Sequence, residues 1–199
     1  MTLRQNFVGN RLKEPRMPHI ELGNDLPGIV SLFAFRPETA APLSELAEVL
    51  LRGPSALSQG ERELIAARVS HLNSCSFCTD SHAAFAAAQL DQGMSLVDQV
   101  RTDPAAAPVS DKLKALLAVA DAVQEGGRAV TDEHIKTARA AGATDREIHD
   151  TVLIAAAFCM YNRYVDGLAT TVPDQSAAYT EMAEHITTHG YRGAVPLQP

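Results

Sequence analysis

The chain contains no tryptophan, only 5% aromatic residues and few runs of β-branched side chains among its 199 residues. Sheets draw on those residue types, whereas Ala-rich segments favour helix, so the composition argues for an all-α fold. Long apolar runs are missing too. No stretch approaches the roughly 18 apolar residues that cross a bilayer, and the opening MTLRQNFVGN lacks the apolar centre of a signal peptide. A cytoplasmic protein with no membrane contact is therefore expected. Basic residues are in deficit, 17 Lys and Arg against 24 Asp and Glu, for a formal charge of -7. An acidic surface is a poor partner for nucleic acid or an anionic membrane, which leaves small molecules and other proteins. Cysteine is scarce as well: Cys75, Cys78 and Cys159 are too few and too unevenly placed for a secreted disulfide framework. In a cytosolic chain a close pair points to redox or metal chemistry.

What is present is helical patterning over most of the length. With 46% hydrophobic residues the chain can bury a core as one domain spanning 1–199. Pro15, Pro18 and Pro27 predict an irregular N-terminal arm over 1–28. A short apolar piece covers Ile29 to Phe35, and Pro37 opens a helix through Leu43, Leu46, Val49, Leu50 and Leu51 that Gly53 and Pro54 stop. Ser58 and Glu61 form a capping box for a helix running to Leu72. Asn73 and Ser74 break the chain, and a helix from about Cys75 to Gln92 follows, then a short helix and loop over 94–109. Ser110 starts the next helix, closed by Gly126 and Gly127, and Thr131 caps a shorter one ending at Gly142. A second capping box, Thr144 with Glu147, opens an apolar stretch to about Thr170 that is expected to be the central buried helix. Pro173 and Asp174 begin a last helix, ended by Gly190. Seven or eight helices result, with no strand.

The chemistry concentrates in RVSHLNSCSFCTDSH, residues 68–82, with Glu63 just upstream. Helical positions three and four apart share a face at about 5 to 6 Å between β-carbons, so Cys75 can meet Cys78 and Cys78 can meet His82. The first helical turn offers free N–H groups and the positive dipole end, which favour thiolate over thiol. Along one straight helix Glu63 would lie about 18 Å from Cys75. A reversal at Asn73 and Ser74 instead folds Glu63 back to within about a turn of His82. The expected order is Glu63, His82, Cys78, Cys75: a carboxylate orients an imidazole that takes a thiol proton.

The pattern E-x11-C-x2-C-x3-H, carried by Glu63, Cys75, Cys78 and His82, resembles the carboxymuconolactone decarboxylase-like superfamily, in its alkylhydroperoxidase D-like, peroxidase-related branch. That resemblance implies an alkylhydroperoxidase D-like helical bundle that assembles into homo-oligomers. It also implies a thiol-dependent hydroperoxide reductase acting in antioxidant defence, with Glu63, Cys75, Cys78 and His82 as its catalytic residues. No cofactor is implied; the partners are a hydroperoxide and a dithiol reductant, lipoyl or thioredoxin-like. Cys78, one turn from His82, is expected to attack the peroxide, and Cys75, at the more exposed helix start, to meet the reductant. One departure stands out: some members carry histidine before the second cysteine, where this chain has Phe77.

Alternatives remain at this level. The site could serve general thiol-disulfide exchange, or the fold could bind a small ligand or partner without catalysis. A lactone decarboxylase of the same superfamily is a third class, whose members generally lack the thiol pair. A zinc site would need all of Glu63, Cys75, Cys78 and His82, with no second C-x-x-C to help. Glu147 and Cys159 repeat the spacing of Glu63 and Cys75, with Asn162 and Asp166 standing where Cys78 and His82 stand in the first copy. A degenerate repeat predicts a helix break in both copies; chance spacing predicts one uninterrupted helix. Tyr161, Asn162, Arg163 and Asp166 form a polar patch expected either to pair internally or to line a pocket beside the thiols.

Overall fold

The structure is a computed structural model, and it describes residues 17 to 194. Residues 1–16 of the expected arm fall outside the described residues, and 17–27 contain no helix. Nine α-helices follow in the described residues: α1 (Gly28–Phe35), α2 (Pro37–Arg52), α3 (Gln59–Leu72), α4 (Ser76–Ala87), α5 (Gly93–Thr102), α6 (Asp111–Glu125), α7 (Asp132–Ala140), α8 (Asp145–Gly167) and α9 (Ser176–His189). Short 3-10 turns lie at Gly127–Ala129 and Arg192–Ala194, and the described residues include no strand. The all-α expectation holds, with one helix more than seven or eight. The addition is α1, where the apolar piece from Ile29 to Phe35 is itself helical.

Local chemistry sets most boundaries. The Ser58 and Glu61 box and the Thr144 and Glu147 box both close as expected. Ser110 and Thr131 each accept a backbone N–H at the start of α6 and α7. Two ends differ from the sequence expectation. Helix α4 stops at Ala87 rather than Gln92, because the chain turns at Ala88 and Gln89 to pass close over Gly60. A β-carbon at Gly60 would lie 2.8 Å from Leu90, so this crossing depends on glycine. Helix α9 begins at Ser176, beyond Pro173.

Helices α3 and α4 form the expected hairpin, and α8 lies across α3 and α6. Leu64, Ile65, Leu116, Leu117, Ile154 and Phe158 are wholly or almost wholly buried where they meet. Arg68 ties this layer together from α3, with a bidentate pair to Asp121 of α6 at 3.0 and 2.9 Å and a bond to the Arg101 carbonyl at 2.7 Å. Helix α8 is not buried on all sides as expected: Leu153, Ala156 and Met160 form an exposed stripe. Among the described residues no helix is long and apolar enough to cross a membrane.

Helix α8 also runs unbroken from Asp145 to Gly167, so no turn matches the one at Asn73 and Ser74. The degenerate repeat of the motif hairpin is thereby excluded, and the chance-spacing alternative holds. Its supposed carboxylate, Glu147, caps its own helix and pairs with Lys112 at 2.6 Å, where Glu63 faces an imidazole. Chance spacing in an apolar helix accounts for the match.

Candidate active site

The turn between α3 and α4 is built by backbone hydrogen bonds and then pinned from outside. Ser74 N–H bonds to the His71 carbonyl at 2.9 Å, and Cys75 N–H to the Ser70 carbonyl at 3.1 Å, the paired pattern that ends a helix. Ser74 takes the left-handed conformation at φ 60°, which glycine usually fills. Side chains hold it there. Asn73 donates to Asn162 of α8 at 2.8 Å and accepts from Gln124 of α6 at 3.0 Å, while Asn162 donates to Ser70 at 3.0 Å. The polar patch on α8 is thus divided. Asn162 holds the turn, Tyr161 lines the cavity described below and donates to the Leu43 carbonyl, and Arg163 turns to solvent and bonds to the Cys159 carbonyl.

Because of that turn Cys75 is the N-cap of α4 and Cys78 lies in its first turn. Both thiols are free, and they share one buried cluster. The neighbouring Cys78, followed by burial, pushes the Cys75 thiol far above its ordinary value, so Cys75 keeps its proton. Cys78, and not Cys75, lines the cavity described below. The expectation that Cys75 is the more exposed is corrected: it is 0% exposed and Cys78 is 4% exposed. A cysteine at the N-cap turns inward here because α9 and Val165 of α8 cover it, with Tyr179 and Met182 in the same cluster.

The hairpin brings Glu63 and His82 together as expected. His82 Nδ1 is 2.6 Å from Glu63 Oε2, and Glu63 is 1% exposed. A carboxylate on Nδ1 selects the tautomer that leaves Nε2 as the proton acceptor. Phe158 and Phe85 pack edge-on against the ring, at 4.5 and 5.1 Å between centroids, and fix its plane. The other carboxylate oxygen, Oε1, accepts a 2.5 Å hydrogen bond from the Tyr191 hydroxyl. Sequence reasoning missed Tyr191. It lies 128 residues from Glu63, beyond the last α-helix, and no local pattern marks it.

Cys78 and His82 both line a cavity of about 410 Å³ whose other walls are mostly apolar, including Ile29, Phe33, Leu43 and Met182. Phe77 is 4% exposed in this wall. It packs 6.3 Å from Tyr179 and so closely over Gly28 that a β-carbon there would collide with its ring. Position 77 is therefore a wall of the cavity and has no part in proton transfer. The Ser81 hydroxyl, on the same lining, is buried without a hydrogen-bond partner. Among the described residues no three His, Cys, Asp or Glu side chains gather as a metal would need.

A buried thiol pair capping a helix, beside a carboxylate and imidazole dyad in an all-α bundle, defines the class. The chain belongs to the carboxymuconolactone decarboxylase family, whose model matches residues 37–95 and 91–172 and so covers 37 to 172 without a gap. Its helical fold is shared with solved structures of alkylhydroperoxidase D-like name. It is similar to the alkylhydroperoxidase AhpD core of an uncharacterized peroxidase-related protein from Ralstonia eutropha JMP134, with a TM-score of 0.71 and 23% identity over 85% of this chain and 96% of that one. An uncharacterized peroxidase-related protein from Silicibacter sp. TM1040 gives a TM-score of 0.69 at 27% identity, over 77% and 78% of the two chains. A protein of unknown function from Agrobacterium tumefaciens, described as a putative antioxidant defence protein AhpD, gives 0.63 at 23%, over 74% and 99%. No curated protein matches the chain.

Proposed function

We propose that the protein is a thiol-dependent peroxidase that reduces organic hydroperoxides through Cys75 and Cys78. The observation that carries this is the shared cavity: the Cys78 thiol and the His82 imidazole line the same apolar space. His82 Nε2 accepts the Cys78 proton while Glu63 stabilises the imidazolium that forms. The thiolate attacks the terminal oxygen of ROOH, the O–O bond breaks, and Cys78 becomes a sulfenic acid. The departing RO⁻ takes the proton back from His82 and leaves as ROH. Cys75 then displaces hydroxide from the Cys78 sulfur, which leaves as water with the Cys75 proton, and the two cysteines close a disulfide.

An external dithiol restores the pair, giving up two electrons and two protons. Neither sulfur is more than 4% exposed, so the reductant has to enter the cavity. A slender lipoyl arm fits that requirement better than the face of a folded thioredoxin-like protein, and Cys78, which lines the cavity, is the sulfur it attacks. The same burial weighs against general disulfide exchange with protein substrates. A second copy of the chain is the natural cover for the exposed Leu153 and Met160 on α8 and Val49 on α2, in keeping with a homo-oligomer.

Mixing the reduced protein with cumene hydroperoxide and counting free thiols tests the proposal. Two thiols lost per chain are expected, with equimolar alcohol formed. If all three thiols survive, the thiol peroxidase assignment falls and the cavity becomes a binding site only.

A further inference from the structure

Beyond the four motif residues, and resting on the relay proposed above, we infer that Tyr191 is a positioning residue that sets the proton affinity of the Glu63 and His82 pair. The Glu63 carboxylate is buried and divides its two oxygens between two donors. Oε2 faces His82 Nδ1 at 2.6 Å and Oε1 receives the Tyr191 hydroxyl at 2.5 Å. The tyrosine ring also lies parallel to the imidazole, at 6.3 Å and 16°, and its hydroxyl is 3.5 Å from Nδ1. One phenol thus touches both members of the dyad. Burial, and then the charge of Glu63, hold the phenol well above its ordinary pKa, so it stays a donor throughout the working range.

The consequence follows from which protonation state the bond favours. A hydrogen bond donated to a carboxylate stabilises the ionised form. The Tyr191 bond therefore competes with His82 for the Glu63 carboxylate and weakens the pull of Glu63 on the shared proton. The dyad binds its extra proton less tightly than Glu63 and His82 alone would.

The tyrosine is held by a clasp at the end of the described chain. Gly190 turns the backbone at φ 72°, where a β-carbon would press on the Glu48 carboxylate. Tyr191 N–H then donates to Glu48 at 2.8 Å, and Arg192 makes a bidentate pair with Glu45 at 2.6 Å for each bond. Glu45 and Glu48 lie on α2, which lines the cavity through Leu43, Ser44 and Ala47. The clasp thus aims one hydroxyl at the relay from outside the motif hairpin.

The test is the Tyr191→Phe variant, which keeps the ring and its packing and removes only the hydroxyl. Two pH profiles are measured: kcat/KM with cumene hydroperoxide, and the rate of Cys78 alkylation by iodoacetamide in Cys75→Ser and Cys75→Ser/Tyr191→Phe proteins. The acid limb of both profiles is expected to move up by about one pH unit, so that rates below it fall about tenfold and recover above it. Thermal unfolding and the downfield proton resonance of His82 Nδ1 complete the comparison, the resonance being expected to shift in the variant. A uniform loss with an unmoved limb, or no change at all, overturns the inference. A shifted alkylation profile in a protein that consumes no hydroperoxide retains the role of Tyr191 and discards the peroxidase reading instead. Arg192→Ala, which leaves the dyad untouched, is expected to shift both limbs in the same direction by a smaller amount, and an opposite shift counts against the clasp.

Discussion

Glu63 Oε2 and His82 Nδ1 stand 2.6 Å apart although nineteen residues separate them, one on each arm of the α3 and α4 hairpin. The proton transfers of the peroxide-reducing step pass through that contact, since it decides which imidazole nitrogen is available to a thiol.

Replacing the carboxylate with its amide is therefore the most direct probe. Glu63→Gln keeps the shape and removes the charge that stabilises the imidazolium. Stopped-flow measurement of thiol oxidation by cumene hydroperoxide is expected to show a loss of about 10²-fold, the scale of positioned acid–base catalysis.

The two cysteines should behave differently when separated. Cys75→Ser removes the resolving thiol, so peroxide is expected to leave a Cys78 sulfenic acid that dimedone labels and mass spectrometry locates. Cys78→Ser should give no adduct at Cys75, which is fully buried and does not line the cavity. An adduct at Cys75 would reverse the assigned roles.

Cavity volume should govern substrate choice. Ala47, on α2, lines the cavity and is buried, so Ala47→Phe fills space there. Turnover of cumene hydroperoxide is expected to fall about tenfold or more, as the apolar contact area of its ring is lost, while hydrogen peroxide turnover is retained. Equal losses with both peroxides would show that the cavity does not hold the organic group.

The side-chain network behind the turn should be visible as stability. Asn162→Ala strips a partner from both Asn73 and Ser70. A cost of about 2 kcal/mol is expected from unmet buried polar groups, read as a lower urea midpoint with an unchanged slope.

High pH should unfold the protein before it ionises the native tyrosines. Burial pushes the Tyr161 and Tyr179 phenols up to about 12, and Tyr191 is likewise held well above its ordinary value. Below about pH 10 the phenols are protonated in both folded and unfolded chains and stability is unaffected by them. Between about 10 and 12 only the unfolded chain loses those protons, so stability falls with rising pH, by about 1.4 kcal/mol per unit for each fully shielded phenol. Urea titrations across this range should show that decline, with a shallower slope in Tyr191→Phe.

Much of the architecture was legible because its signals are local. Capping boxes at Ser58 and Thr144, the break at Asn73 and Ser74 and the glycine stops each depend on a few neighbouring residues, and the structure realises them within a few positions. The pairing of Glu63 with His82 was legible for the same reason, since a tight hairpin leaves little choice of register. Whether Glu147 and Cys159 repeat Glu63 and Cys75 was not legible, because spacing alone does not distinguish a hairpin from a straight helix. The exposure of Cys75 was misjudged because nothing near residue 75 announces that α9 will cover it.

From the order of residues alone came the helices, the hairpin and the four motif side chains, since each rests on contacts between positions a few residues apart or directly opposed across a short turn. Tertiary packing decided the rest. Which sulfur faces the cavity, what covers the other, and that the Tyr191 hydroxyl reaches Glu63 across 128 residues all depend on how distant helices stack, and no short-range pattern encodes that.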